Sequence, residues 1–449
     1  MTSTVEGTDN TSLHSLKSSN ERERDTIGFR IQFIQELLKD KELEPLVNFD
    51  ICDTENFKGQ LIEDSEYCDG KTSNDTKLLI KKKVYNFNKI INHLGGKLYY
   101  FKSGTTGHTF KGIMDSQDGG EPFCYAVKVV AYPKKTKYDS IHNAERPENA
   151  EIRMIKLLSY FIVNKQTPHI VLPIATFNTS IKPFLTLKEE KVVDDTDKKY
   201  MEFLESYKKG TFYEEVSILI SEWANRGDLL DFIRKYYKRF QAKHWKVFFF
   251  QIISTLAVIQ SKYPAFRHND MKANNILVHK IKGKENKKFT YRVLRKNYIV
   301  PNIGYSIKLW DFDFANIPGY VNNIKASLDS VRPIGVSPKQ NQYYDIHYFF
   351  NTLAFTGFFP KFMITEHIPN DVKEFVSRVV PLKFRTVTCT HGNDEATLVK
   401  NKEENLEVER VDCNCYKYVH ERGRLRAQTE HITPAQMLSD PFFSEFVKE

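Results

Sequence analysis

His268-Asn269-Asp270-Met271-Lys272-Ala273-Asn274-Asn275 is the stretch on which the reading of this chain turns. Its pattern is H-x-D-x-K-x-x-N. An apolar run, Val247 to Ile259, precedes it, and Ile276-Leu277-Val278 follows. That order predicts a loop between a buried helix and a short strand. A loop so placed can hold a carboxylate, an ammonium and an amide on a rigid frame. A second signature lies downstream: Ile307-Lys308-Leu309-Trp310-Asp311-Phe312-Asp313-Phe314, an apolar strand running into two carboxylates.

The surrounding composition narrows the class of protein. The chain has 449 residues, enough for two packed lobes with extensions, and is 41% hydrophobic and 27% charged. Its net charge of +9 is spread along the sequence and not gathered in one tract, so no nucleic-acid partner is expected. Six cysteines in a chain this long make no disulfide framework and suit a reducing compartment. The polar N-terminus lacks a signal-peptide core, and the longest apolar run, at Phe248-Phe249-Phe250, is too short to span a bilayer. Residue 2 is Thr, which excludes myristoylation. The expectation is a soluble, cytoplasmic protein.

Working outward, residues 1–77 read as an N-terminal extension, largely disordered. Within it Phe29, Ile31, Phe33, Ile34, Leu37 and Leu38 predict a short amphipathic helix over 28–43. A first domain, 78–220, carries strands predicted at 98–101, 109–114, 123–130, 169–177 and 216–220, and a helix at 148–163. Residues 178–214 are charged and aperiodic and read as an insertion. A second domain, 221–449, reads as helical at 229–240, 242–261, 343–355, 361–380 and 433–447, the last with Thr433 as cap and Pro434 at its first position. Insertions interrupt it at 279–305 and 386–425.

The H-x-D-x-K-x-x-N loop and the Asp311-Phe312-Asp313 segment together resemble the catalytic loop and the D-F-G segment of the protein kinases. The resemblance covers about residues 95–446. It implies an α+β, bilobal kinase-like fold: an N-lobe of antiparallel sheet plus one helix, and a mostly helical C-lobe. It implies ATP and Mg²⁺, or Mn²⁺, as cofactors and protein hydroxyls as substrates. Phosphoryl transfer asks for positioning and charge and little covalent chemistry. In the resemblance Asp270 orients the attacking hydroxyl and Lys272 neutralises the γ-phosphate. Asn275 and Asp311 ligate the metal, as hard oxygen donors suited to Mg²⁺.

Other positions follow the same family pattern. Lys102, Gly104 and Gly107 stand at the three places of G-x-G-x-x-G, so Gly104 and Gly107 are the two glycines left to approach phosphate. Ala126-Val127-Lys128 resembles V-A-I-K, with Glu151 as the expected partner of Lys128 and Glu148 as the competing one. Ser221-Glu222-Trp223-Ala224 stands at the hinge, where backbone groups of Glu222 and Ala224 would bind adenine. Asp228 would contact ribose or, equally, cap the following helix. Tyr344-Asp345-Ile346-His347 resembles the helix start whose aspartate anchors the catalytic loop. The stretch from Ile432 to Phe443, with Pro441-Phe442-Phe443, resembles the last kinase helix.

The departures are specific. Asn269 replaces the arginine of H-R-D, Asp313 replaces the glycine of D-F-G, and no A-P-E lies between Asp311 and Asp345. The D-F-D-F run with Tyr343-Tyr344-Asp345-x-His347-x-Phe349-Phe350 is similar to the serine/threonine kinases of large DNA viruses, poxviruses included. That likeness implies the host cytoplasm, and the virion, as locations. Without an arginine at 269, no guanidinium next to the catalytic aspartate reads an activation-segment phosphate, so control is expected through a partner, the N-terminal extension or the insertions. Two other readings compete. H-N-D resembles choline and aminoglycoside phosphotransferases, and a pseudokinase scaffold would need no catalysis. Lys272 and the Pro441-Phe442-Phe443 ending favour a protein kinase. Cys389, His391, Cys413, Cys415 and His420 contain enough donors for a zinc site, but their spacing is not that of the common zinc modules, and they read as free thiols in a surface insert.

Overall fold

The computed structural model describes residues 26–47, 49, 82–104, 106–114, 122–194, 196–281, 287–355, 358–385, 396–397, 410–411, 418–420, 423–426 and 431–448. The chain divides into two compact units. One comprises Met1–Lys165 with Val171–Trp223; the other comprises Gln166–Ile170 with Ala224–Glu449.

The first unit is built on a five-stranded antiparallel sheet in the order β1-β2-β3-β5-β4. Its strands are β1 (Lys97–Ser103), β2 (Gly107–Met114), β3 (Phe123–Pro133), β4 (Pro173–Ser180) and β5 (Phe212–Glu222). Helices α1 (Ile27–Leu38) and α2 (Phe87–Leu94) precede these strands, and α3 (Pro147–Val163) lies between β3 and β4. The β-branched and aromatic run of β3 pairs with β2 on one side and β5 on the other, setting Lys128 opposite Thr109 and Leu219. The α1 helix starts from Thr26, whose side chain caps the N–H of Phe29. Phe29 and Phe33 then stack on Phe123 of β3, with ring centroids 6.2 and 5.3 Å apart.

Residues 178–214 hold more order than their charge suggested. They complete β4, make a 3-10 turn at Lys182–Phe184, form α4 (Lys198–Lys208) and enter β5. The α4 helix is N-capped by Asp197 and buries only Tyr200 and Phe203. So short an apolar stripe is hidden in sequence by the lysines and glutamates around it. Those two rings and Phe184 surround His108 near the start of β2, with centroid distances of 4.5 to 6.1 Å. Asp197 also accepts a hydrogen bond from Tyr100. The insertion therefore braces the β1–β2 hairpin.

In the second unit α5 (Leu229–Tyr236) and α6 (Ala242–Lys262) come first. Helix α6 is buried on nearly every side, which is why its sequence is apolar all round. Strands β6 (Ile276–Lys280) and β9 (Tyr305–Leu309) pair antiparallel. Between them the basic insertion folds as a second hairpin, β7 (Lys288–Val293) with β8 (Lys296–Pro301). Its two-residue turn holds Leu294 and Arg295 at positive φ, 48° and 69°, the hand that suits a tight hairpin turn. Tyr291 and Tyr298 of this hairpin pack on Phe250 of α6.

Among the described residues the later helices are α7 (Tyr344–Ala354), α8 (Asn370–Val379) and α9 (Pro434–Met437). Two are shorter than their periodicity predicted. Helix α8 begins only after Pro369, because the residue before a proline is steered out of helical geometry. The final segment is not one helix. Thr433 and Gln436 form the capping box of α9, and Pro441 starts a separate 3-10 turn to Phe446. Among the described residues no helix is long and apolar enough to cross a membrane. Cys389, His391, Cys413 and Cys415 lie outside the described residues.

Candidate active site

In the first unit Lys128 donates to Glu151 Oε1 at 2.6 Å, and Glu151 is almost fully buried on α3. Its competitor Glu148 is taken by Arg146, whose Nε lies 2.8 Å away. The two glycines of the β1–β2 turn differ in kind. A Cβ on Gly107 would meet the carbonyl oxygen of Val129 at 1.8 Å, so packing against β3 excludes any side chain there. A Cβ on Gly104 would meet only Gly107 O, at 3.8 Å. The turn is closed by Gly104 N–H donating to Gly107 O at 2.7 Å.

Glu222 ends β5. Its N–H donates to Leu172 O at 3.0 Å, and its carboxylate accepts the Leu172 N–H at 2.7 Å. The same carboxylate receives both forks of Arg30 from α1, at 2.9 and 2.5 Å. This bidentate, nearly buried pair fastens α1 to the end of the sheet.

In the second unit the 268–275 loop hangs from α7. Buried Asp345 accepts the backbone N–H of His268 at 2.7 Å and of Asn269 at 2.9 Å. Burial pushes this carboxyl up from its usual range, while the neighbouring His268 and Arg267 and the two N–H bonds oppose that rise. His268 Nε2 lies 3.0 Å from Trp310 O, so the loop is tied to the segment that carries Asp311. Trp310 N–H donates in turn to Asn275 O at 3.3 Å.

Within the loop Asn275 Nδ2 donates to Asp270 Oδ2 and to Asp270 O, both at 2.9 Å. Lys272 Nζ lies 3.0 Å from the same Oδ2. Asp270, Lys272 and Asn275 thus form one cluster, with Asn275 linked through its backbone to Trp310, the neighbour of Asp311. Asp311 sits at φ 62°, a left-handed conformation that aspartate tolerates. Asn269 takes the same hand at φ 63° and bridges the downstream segment: its Nδ2 donates to Phe314 O at 3.1 Å, and its Oδ1 accepts Ser337 N–H at 3.4 Å. Asp313, in place of glycine, pairs with Lys325, whose Nζ also lies 4.0 Å from the centre of the Phe314 ring. Ala224 is buried at the start of this unit, and Asp228 caps α5 by accepting the N–H of Asp231 at 3.0 Å.

This geometry can be compared with known proteins. Residues 128–384 match the family model described as poxvirus serine/threonine protein kinase. A relative from Acanthamoeba polyphaga mimivirus, whose name assigns it provisionally as a serine/threonine-protein kinase, is 41% identical over 424 residues, covering 93% of this chain and 80% of the relative. The chain belongs to the poxvirus serine/threonine protein kinase family. It is a viral, ATP-dependent protein kinase of the serine/threonine class, with the α+β fold expected of it. Neither comparison favours a small-molecule phosphotransferase.

Two residues at the kinase's motifs escape sequence reading. Arg30 lies in the segment whose spacing predicts a short amphipathic helix, and nothing in that spacing points to Glu222. Arg424 lies in the 386–425 insertion, yet its guanidinium pairs with Asp270. No local pattern links residues 154 positions apart in sequence.

Proposed function

We propose that this kinase transfers the ATP γ-phosphate to serine and threonine hydroxyls of proteins with Asp270 as the group that orients the attacking hydroxyl. The observation that carries the reading is the Asp270–Lys272–Asn275 cluster on a loop suspended from Asp345. Lys272, already beside the carboxylate, supplies positive charge for the γ-phosphate as it moves. Asn275 commits its Nδ2 to Asp270, which directs its amide oxygen to a metal role. That oxygen and the Asp311 carboxylate are the hard donors that suit Mg²⁺, and the metal when bound would offset charge on the phosphates. Lys128, held by Glu151, is assigned to the α- and β-phosphates, and the Gly104–Gly107 turn to the phosphate oxygens. Glu222 donates its N–H within the sheet, so its carbonyl is assigned to the adenine amino group, and the backbone of Ala224 is assigned to adenine as well. Asp228 is assigned to ribose, although its carboxylate already caps α5.

The family name supports a place in the infected host's cytoplasm and in the virion. The N-terminal extension is proposed as the contact for a regulatory partner, since Arg30 grips Glu222 beside the adenine-binding backbone. Incubation with γ-labelled ATP and Mg²⁺, with casein in one arm and choline in the other, tests the substrate class. Label on serine or threonine of casein is expected. Label on choline alone would overturn the assignment.

A further inference from the structure

Arg424 reaches the active centre from the far end of the chain. Its Nη2 pairs with Asp270 Oδ1, the oxygen that Lys272 and Asn275 do not hold. Its Nε lies 3.4 Å from Asn269 O, and its guanidinium carbon lies 4.3 Å from the centre of the Tyr348 ring on α7. The side chain is only 7% exposed. We propose that Arg424 is a positioning residue of the phosphotransfer site: it fixes the Asp270 carboxylate in the orientation that receives the substrate hydroxyl. The proposal rests on the assignment of Asp270 given above.

Three features support a permanent positioning part over a displaceable plug. First, the backbone carrying Arg424 is built into the unit. Val419 bridges Leu425, His420 N–H donates to Arg424 O at 2.8 Å, and Asn351 Nδ2 of α7 donates to Gly423 O at 2.9 Å. Second, the opposing surface is shaped to admit it. A Cβ on Gly335 would stand 2.4 Å from Leu425 O and 3.2 Å from Arg424 Cβ, and Gly335 has φ 83°. Third, Asp270 is held from both sides. Oδ2 takes Lys272 and Asn275, and Oδ1 takes Arg424, so rotation of the carboxylate is blocked. Each carboxylate oxygen has more than one acceptor direction, so a hydroxyl can still be received. The planar guanidinium fork suits this task better than an ammonium. The position next to Asp270 in sequence holds the neutral Asn269, whose own amide is spent on Phe314 and Ser337. The guanidinium at this centre thus comes from Arg424 and finds its anion inside the protein.

The test compares wild type, Arg424→Gln and Arg424→Lys in the full chain, measuring kcat and KM for ATP with casein, MgADP binding by calorimetry and thermal unfolding. Arg424→Gln is expected to lower kcat about tenfold or more, the scale for a misplaced catalytic group, with KM for ATP and MgADP affinity within about twofold of wild type. Arg424→Lys should recover part of that loss. A Gln variant with wild-type kcat overturns the proposal, and one with raised kcat overturns it in favour of a block on Asp270. Should Arg424→Gln not unfold cooperatively, Arg424→Lys decides: a lower kcat with unchanged MgADP affinity supports positioning, and a wild-type kcat overturns it. A wild-type chain that labels no protein hydroxyl refutes the parent assignment itself, which an active wild type with an equally active Gln variant would leave standing.

Discussion

Changing Asp345 to Asn isolates what suspends the 268–275 loop. The substitution keeps volume and shape but replaces one acceptor oxygen with an N–H₂ donor. In the native protein Asp345 accepts two backbone N–H groups at 2.7 and 2.9 Å in a fully buried setting. Hydrogen bonds to a charged group contribute about 1.5–3 kcal/mol each, against roughly 0.5–1.5 for neutral ones. The amide retains one weaker bond and turns a donor toward the other N–H, a gross loss of about 3–4 kcal/mol by those figures. Burial of the carboxylate opposes this, since it disfavours the charged form that the amide removes. The net loss expected is about 2 kcal/mol, or a Tm drop of roughly 4–8 °C for a unit of this size. The loop should also move, and an error near 1 Å in a catalytic group costs about a hundredfold in rate. Calorimetric unfolding with kcat and KM for ATP on the same preparation reads both effects. If Tm and kcat both match wild type, Asp345 does not hold the loop.

Three further outcomes follow from the structure. Lys128→Met and Glu151→Gln should each lower activity, and the double variant should be little worse than Lys128→Met alone, because the pair at 2.6 Å acts as one unit; additive losses in the double-mutant cycle would argue against it. Arg30→Ala leaves the Glu222 carboxylate nearly buried without its cation and should cost about 3 kcal/mol, with α1 becoming sensitive to limited proteolysis; an unchanged digest would count against the latch. Burial holds His108 and His347 down at about 4, below the ordinary value near 6.5. Both are neutral when folded and bind protons more readily when unfolded. Stability should therefore be full above about pH 6.5 and fall as pH drops toward 4, by up to about 1.4 kcal/mol per pH unit for each histidine, and His108→Gln should flatten the slope of Tm against pH.

How far the sequence could be read depended on the range of each interaction. The loop at 268–275 was legible because its three side chains lie within six residues and meet at the Asp270 carboxylate in the fold. The strand around Lys128 was legible from its β-branched run, and the pairing to Glu151 from helical spacing in α3. Helix α4 was not, because two buried rings among lysines and glutamates leave almost no period to detect. The break at Pro441 does not follow from the capping box, which predicts where a helix starts and says nothing of its length. Arg30 and Arg424 were illegible for a different reason. Their partners, Glu222 and Asp270, lie 192 and 154 positions away, and only the folded backbone brings them together.

The proposed roles divide the two carboxylates: Asp270 for the hydroxyl and Asp311 for the metal-bound nucleotide. Measuring MgADP affinity and turnover on casein for Asp270→Asn and Asp311→Asn tests this division most directly. Asp270→Asn is expected to lose turnover while binding MgADP near wild-type affinity, and Asp311→Asn to lose metal-dependent nucleotide affinity as well. Wild-type turnover in both variants, or loss of MgADP binding in Asp270→Asn alone, would contradict it.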